Sequence, residues 1–417
     1  MTTLACFLCG RTFPVLSRIN QCPCGSLLEI RQYPEEAGAV LRGRFDRRRL
    51  DDPTGRESGV WRFRELILPG RGPLVTHPEG ATELYRRPAV SRYAGVADLA
   101  LKHEGENPTG SFKDRGMTVA VTHAVRAGAT AVACASTGNT SASMAAYAAQ
   151  AGLPALVFVP AGKVAAGKLA QALAYGARTL LVRGDFDACL RLVREASEAL
   201  GMTLLNSVNP WRLEGQKTIV LELLQQRSWN PPDWIVVPAG NLGNTAAFGQ
   251  ALREAKALGL IRRVPRLAAV QAAGANPFYR SFRTRFSRRF RVKADTVATA
   301  IRIGDPASFD RGVRAIRETR GVVAAVTDRE ILEAKAVVDA AGLGCEPASA
   351  ASVAGVRQLV RRGVIRKGAS VVAVLTGHVL KDAESVIRFH SRKGPGRNPP
   401  VEIEPTVKEV ERRLRRS

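Results

Sequence analysis

In the run Asn107-Pro108-Thr109-Gly110-Ser111-Phe112-Lys113-Asp114-Arg115-Gly116, a lysine stands where a strand gives way to a helix. Residues 99–102 read as a short strand, 107–110 as a turn, and Ser111 as the cap of the helix that follows. Lys113 then falls in the first helical turn, among orphan backbone N–H groups and at the positive end of the helix dipole. A cation is poorly placed there, which points to a use for its amine. One such use is a Schiff base with an aldehyde cofactor. Taken alone, the segment serves equally well as a solvated lysine at a helix start.

Three further strand-to-helix junctions widen the reading. An apolar run at 234–237 ends at Pro238 and leads into Ala239-Gly240-Asn241-Leu242-Gly243-Asn244-Thr245, then a helical pattern to about residue 256. Glycines in such a turn let backbone N–H groups close on a phosphate. The spacing matches neither the dinucleotide fingerprint nor a Walker A sequence, and a lone glycine turn is often only a turn. The run at 131–135 leads into Ser136-Thr137-Gly138-Asn139-Thr140-Ser141 and a small-residue helix. Hydroxyls, an amide and bare N–H groups there suit a carboxylate or a ring hydroxyl, and would equally make an ordinary helix cap. The run at 370–375 ends in Thr376-Gly377-His378. Each polar cluster sits at the carboxyl end of a predicted strand, where open α/β sheets place ligands.

From about residue 73 to beyond 382, these motifs in this order resemble the threonine synthases, in the fold type II group of pyridoxal-phosphate enzymes. The resemblance implies two α/β domains of parallel sheet, like those of the tryptophan synthase β chain, with pyridoxal 5'-phosphate between them. It makes Lys113 the catalytic Schiff-base residue. It implies that Asn139 bonds the ring hydroxyl, that Gly240, Asn241, Leu242, Gly243 and Asn244 cradle the cofactor phosphate, and that Thr376 meets the pyridine nitrogen. Ser136, Thr137 and Thr140 would hold the substrate carboxylate. These features identify the cofactor better than the substrate.

The run Asn206-Ser207-Val208-Asn209-Pro210-Trp211-Arg212-Leu213-Glu214-Gly215-Gln216-Lys217-Thr218 resembles the family's grip on the substrate phosphate. Asn206, Ser207 and Arg212, with Asn241 nearby, would carry that contact. An arginine fork with neutral donors beside it suits the task. The strings at 298–304 and 345–351 are also typical of the family. Departures occur at Gly80-Ala81-Thr82-Glu83-Leu84, where Gly-Asn-Thr-Pro-Leu is usual, at Asp305 in place of asparagine, and at Val379 in place of glycine. A carboxylate added near a phosphate site would repel it, which leaves room for a paralogue with another substrate. Such a paralogue would be a sulfite-using synthase on phosphoserine or a hydroxy-amino-acid dehydratase.

The cysteines carry a separate signal. Cys6, Cys9, Cys22 and Cys24 form C-x2-C-x12-C-x-C with a glycine after each pair. Two thiolate knuckles suit a structural, closed tetrahedral zinc, although the second pair is tighter than usual. Disulfides are the alternative, and many threonine synthases begin with such a ribbon-like segment. Cys134, Cys189 and Cys345 sit in apolar surroundings and read as reduced core residues.

Composition bounds the rest. The 417 residues allow two or three domains. No apolar run approaches the roughly 18 residues that span a bilayer, and residues 1–17 lack a signal-peptide pattern. A net charge of +25, from 62 Lys and Arg against 37 Asp and Glu, admits a nucleic-acid-binding ribbon protein without catalysis. No nucleic-acid motif accompanies it, and nucleic acid is not the expected partner. The expected layout is a zinc-ribbon-like segment at 1–30, large-domain residues at 31–120, a small domain at 121–205, the rest of the large domain at 206–390, and a linker with a basic helix at 391–417. The expectation is a cytoplasmic homodimer acting on O-phospho-L-homoserine and water to make L-threonine and phosphate.

Overall fold

The apolar runs become strands of two parallel sheets, preceded by a small antiparallel one. The computed structural model describes residues 2–50, 58–162, 166–391, 394 and 396–414. The expected linker at 391–400 and the end of the basic tail thus lie partly outside the described residues, as do residues 51–57 of the charged stretch at 31–72. Within that stretch a helix spans Gly38–Leu50 and a short 3-10 turn spans Trp61–Leu66.

The first sheet contains β1 (Thr2–Cys6), β2 (Thr12–Phe13) and β3 (Leu28–Gln32) in the order β2-β1-β3, all antiparallel. Next in the chain come β4 (Leu84–Tyr85) and β5 (Asp98–His103). A four-stranded parallel sheet follows, built from β6 (Val132–Ala135), β7 (Ala155–Pro160), β8 (Arg178–Val182) and β9 (Thr203–Leu204) in the order β8-β7-β6-β9. Then β10 (Trp234–Pro238), β11 (Arg266–Ala272), β12 (Val322–Val326) and β13 (Ser370–Leu375) join β4 and β5 in the order β12-β11-β10-β13-β5-β4. Only β4 runs antiparallel to its neighbour in that sheet. Strand β10 is buried along its whole length. That is why it reads as an unbroken apolar run, since helices cover both faces of a parallel sheet.

This strand order sets the site. In the large sheet β10, β13 and β5 are consecutive parallel neighbours, so the turns after them meet at one carboxyl edge. They carry the glycine turn, Thr376 and the Lys113 loop. In the small sheet β6 and β9 are parallel neighbours, which brings Ser136–Asn139 beside Asn206. The helix Pro210–Gln216 then packs on the Lys113 helix, Lys113–Arg126. Glycine at 215 permits that approach, because a Cβ there would fall 1.6 Å from the carbonyl oxygen of Arg115. Among the described residues no helix is long and apolar enough to cross a membrane.

Candidate functional site

The loop before Lys113 is held from three sides. Gly110 takes a left-handed φ of 85°, where glycine carries no steric penalty. The N–H and hydroxyl of Thr109 donate to the Asp114 carboxylate, both at 2.7 Å. Phe112 N–H donates to Thr376 O at 3.0 Å, fastening this loop to the end of β13. Phe112 is the cap residue of the helix, one later than the Ser111 expected from sequence. Ser111 Oγ still accepts from Lys113 N–H, at a long 3.4 Å. Burial pushes the Asp114 carboxyl up to about 6, although the Thr109 groups favour its carboxylate.

Behind the loop lies a buried charge network. Arg115 donates through Nε to Glu104 at 2.6 Å and through Nη2 to Glu222 at 2.8 Å. Lys102 Nζ meets the same Glu222 at 2.6 Å, and Arg62 Nη2 meets it at 3.1 Å. Glu222 also accepts the backbone N–H groups of Ala81 and Thr82. Asn107 closes the ring, donating to Glu104 and accepting from Gly80 N–H. Opposite charges at this spacing in the interior stabilise only as a complete set. The set fixes the frame from which Lys113 projects.

Lys113 itself is partly buried, its Nζ resting 4.1 Å from the centre of the Phe112 ring. Burial, and then the nearby Arg212 guanidinium, pull its pKa from the ordinary 10.5 down to about 7, with Glu346 opposing. An amine so tuned is half neutral near physiological pH, which suits both nucleophilic attack and proton transfer.

Arg212 is 1% exposed and has no carboxylate partner among the described residues. Its Nη1 donates to Leu205 O at 3.1 Å, and its Nε has no partner. Burial lowers its pKa to about 10. A buried cation left open in this way has donors that could take up an anion. Asn206 is placed differently. Its amide exchanges two 3.0 Å bonds with the N–H and C=O of Ala135, which leaves one amide hydrogen for a ligand. Ser207 lies beside it, partly exposed.

Residues Ser136, Thr137, Asn139 and Thr140 are partly exposed at the end of β6. Asn139 begins the helix Asn139–Gln150, and Ser136 Oγ accepts from Gly138 N–H at 3.3 Å. Across from them, Leu242 takes a left-handed φ of 63° and opens the helix Gly243–Ala257. Its first-turn N–H groups, at Gly243, Asn244 and Thr245, have no intrahelical acceptor. Asn244 Oδ1 and Thr245 Oγ1 are buried without a partner. A Cβ at Gly240 would come within 3.0 Å of Ile301 Cα. Asn241 is tied back by Ala307 N–H to its Oδ1 and Ser308 N–H to its carbonyl. Thr376 is buried, with Ser349 Oγ 3.1 Å from its hydroxyl. A tight anion cradle, a hydroxyl, an amide and a free amine together fit pyridoxal phosphate.

Sequence reasoning assigned no role to Glu346, which the structure brings among these groups. Its string at 345–351 was visible, but its neighbours lie far away in the chain. Asp305 resolves a second point. Its carboxylate pairs with Arg289 at 2.6 Å and Arg291 at 2.9 Å on the surface.

At the other end of the chain, the sulfurs of Cys6, Cys9, Cys22 and Cys24 all lie within 4.8 Å of one another. None is in a disulfide. Cys9 N–H points at Cys6 Sγ at 3.4 Å. Hydrogen bonds from Cys9 and its surroundings bring the Cys6 thiol down to about 6 against the burial that opposes it. Cys22 rises to about 12, because burial and its sulfur neighbours outweigh the Cys24 backbone N–H. Four thiolates in this space would repel one another, and a shared cation would relieve that repulsion.

Comparison with known proteins identifies the family and the fold. The family model described as "Pyridoxal-phosphate dependent enzyme" matches residues 75–377. The threonine synthase of Methanocaldococcus jannaschii is 44% identical over 92% of this chain and 94% of its own length. That of Methanosarcina acetivorans is 49% identical over 79% of this chain and 81% of its own. Among solved structures, threonine synthase from Escherichia coli superposes with a TM-score of 0.70 at 18% identity, covering 99% of this chain and 94% of that one. Maize serine racemase gives 0.63 at 21% identity over 75% of this chain and 94% of that one, a likeness of fold.

Proposed function

The chain belongs to the pyridoxal-phosphate dependent enzymes and, within them, to the threonine synthases; from that premise we propose that its cleft converts O-phospho-L-homoserine and water to L-threonine and phosphate. One observation carries the substrate assignment. A buried arginine without a carboxylate partner among the described residues, Arg212, stands close enough to the Lys113 amine to lower its pKa. The side chain of a hydroxy amino acid offers that guanidinium only a neutral hydroxyl, whereas a phosphorylated side chain offers a dianion. Asp305, neutralised by two arginines, does not weigh against phosphate.

Bound pyridoxal phosphate supplies an electron sink that makes the protons on substrate Cα and Cβ removable. Lys113 is the covalent anchor. Its neutral Nζ, when not holding the cofactor, would accept the substrate Cα proton and later return one. Arg212, assisted by Ser207 and the spare amide hydrogen of Asn206, holds the γ-phosphate and stabilises it as it leaves with its electron pair. Ser136, Thr137 and Thr140, with helix-start N–H groups, hold the substrate carboxylate. The first-turn N–H groups at Gly243 and Asn244, after Gly240, Asn241 and Leu242, hold the cofactor phosphate. Asn139 takes the ring hydroxyl. Thr376 would offer the ring nitrogen a neutral hydroxyl, which would not enforce a positive charge there. Lys113 Nζ would next take a Cβ proton as phosphate leaves Cγ. That proton would return to Cγ, water would add its hydroxyl at Cβ and give its remaining proton to the phosphate, and the Cα proton would be restored. The balance is substrate plus water to threonine plus phosphate.

We also read the four-cysteine cluster as a closed structural zinc site and 121–205 as the small domain, a reading supported by the four-stranded sheet within it. Elemental analysis of protein purified without chelators should find one zinc per chain, and its absence would remove the metal from this account. The function is tested by following phosphate and threonine formation from O-phosphohomoserine together with the visible absorption of the protein. Absorption without turnover would keep the cofactor and reject the substrate.

A further inference from the structure

Glu346 occupies the cap position of the helix Pro347–Arg361, yet its side chain makes no capping bond. A carboxylate there would ordinarily serve the exposed N–H groups of its own helix. Instead it turns into the cleft and is 4% exposed. Asn139 Nδ2 donates to Glu346 Oε2 at 3.1 Å, and Thr376 Oγ1 donates to Oε1 at 3.4 Å. The two donors belong to different sheets, since Asn139 follows β6 of the four-stranded sheet and Thr376 follows β13 of the six-stranded one.

The position is tightly built. Glu346 N–H donates to Gly377 O at 3.0 Å, and Gly377 N–H donates to Ser349 Oγ at 2.9 Å. A Cβ at Gly377 would fall 2.7 Å from the Glu346 carboxyl, so the glycine makes room for it. Among the described residues, Lys381, Lys113 and Asp382 are the charged groups that act on it most strongly. Burial raises its pKa despite the Asn139 hydrogen bond and the two lysines.

We propose that Glu346 is a positioning residue of the cofactor site: its two carboxyl oxygens hold the Asn139 amide and the Thr376 hydroxyl in one arrangement across the two sheets. The inference rests on the reading that Lys113 carries the cofactor between those groups. An acceptor on each side restrains both side chains to the rotamers that face the ring. It also sets the direction of the Thr376 hydroxyl. When Glu346 is ionised the hydroxyl points at it. When Glu346 is protonated, or is replaced by a group that donates, the hydroxyl is released toward the ring.

Two substitutions separate these effects. Glu346→Ala removes both acceptors. Glu346→Gln keeps the shape, but only its carbonyl can accept from Asn139, which turns its NH2 toward Thr376 and reverses that hydroxyl. The readouts are the dissociation constant for pyridoxal phosphate and the pH midpoint of the visible band of the lysine-bound cofactor, both without substrate. Glu346→Ala should weaken cofactor binding at least tenfold. Glu346→Gln should stay within about threefold of the wild-type affinity and yet shift the midpoint downward, because the carboxylate field on Lys113 is lost. Wild-type cofactor affinity in the alanine variant overturns the proposal, and so does a wild-type midpoint in the glutamine variant. The glutamine variant is nearly isosteric, so its midpoint decides the matter if the alanine variant does not fold. A wild-type protein with no lysine-bound band would instead refute the Lys113 reading, which separates the two failures.

Discussion

Replacing Arg212 by methionine should make the substrate-free protein more stable while crippling its use of phosphorylated substrate. The guanidinium is 1% exposed and, among the described residues, its one hydrogen bond is to Leu205 O. Burial brings its pKa from the ordinary arginine value down to about 10. Since a tenfold change in proton affinity is about 1.4 kcal/mol, holding this group charged costs the folded state on the order of 3 kcal/mol at neutral pH. The pKa is depressed on folding and the group is a base, so the penalty is fully present below pH 10 and fades as pH rises above it. Methionine has similar bulk and no charge. Losing the bond to Leu205 takes back roughly 1 kcal/mol, which leaves the variant ahead by about 1–2 kcal/mol. Urea unfolding at pH 7 without phosphate measures this difference directly. Inorganic phosphate should narrow it by stabilising only the wild type. In turnover, two charge-assisted bonds of roughly 1.5–3 kcal/mol each are removed from the substrate phosphate, so KM should rise about a hundredfold or more. A methionine variant less stable than wild type by 2 kcal/mol, with KM within twofold, would refute the idea of an arginine kept unpaired for an anion.

Other predictions follow from the same geometry. The rate at which cofactor-free protein takes up pyridoxal phosphate should rise with pH around a midpoint near 7, because only the neutral Lys113 amine attacks; a midpoint above 9 would contradict the tuning. Glu222→Gln should cost about 3–5 kcal/mol in urea unfolding at pH 7, since it removes the carboxylate that Arg62, Lys102 and Arg115 share. Its pKa is depressed on folding, by Arg115 foremost, so its contribution is present above the unfolded value and lost as pH falls well below it. The gap to the variant should therefore close in acid. Ala81 adopts a left-handed φ of 51° on the surface, and Ala81→Asn should gain about 0.5–1 kcal/mol of stability, read by denaturant midpoint; no gain would show that the local strain is relieved elsewhere.

Much of the site was legible because strand ends in parallel sheets carry their polar residues in contiguous runs. Lys113, Asn139, the glycine turn and Thr376 each follow an apolar stretch closely, so local pattern made them candidates and the family resemblance supplied their expected roles. The four cysteines were legible for a similar reason, as paired knuckles at short spacing. The side chains that complete the site were not. Glu346 lies 207 positions from Asn139, and nothing in the spacing of either links the two. Arg212 could be seen as an arginine, but not as one lacking a carboxylate. Asp305 looked like a charge near a phosphate site, and only its pairing with Arg289 and Arg291 removed that concern.

The sequence by itself determined the strands and turns, because burial on both faces and the demands of tight loops act on residues close in the chain. It also determined the chemical inventory: one amine at a helix start, an anion cradle, and a set of thiols. The tertiary structure decided which of these groups face each other and which charges are already neutralised. Those outcomes depend on the order β10-β13-β5 and on the meeting of two sheets. Charge pairing and pKa are set by distances through a low-dielectric interior, and those distances exist only once the chain has folded.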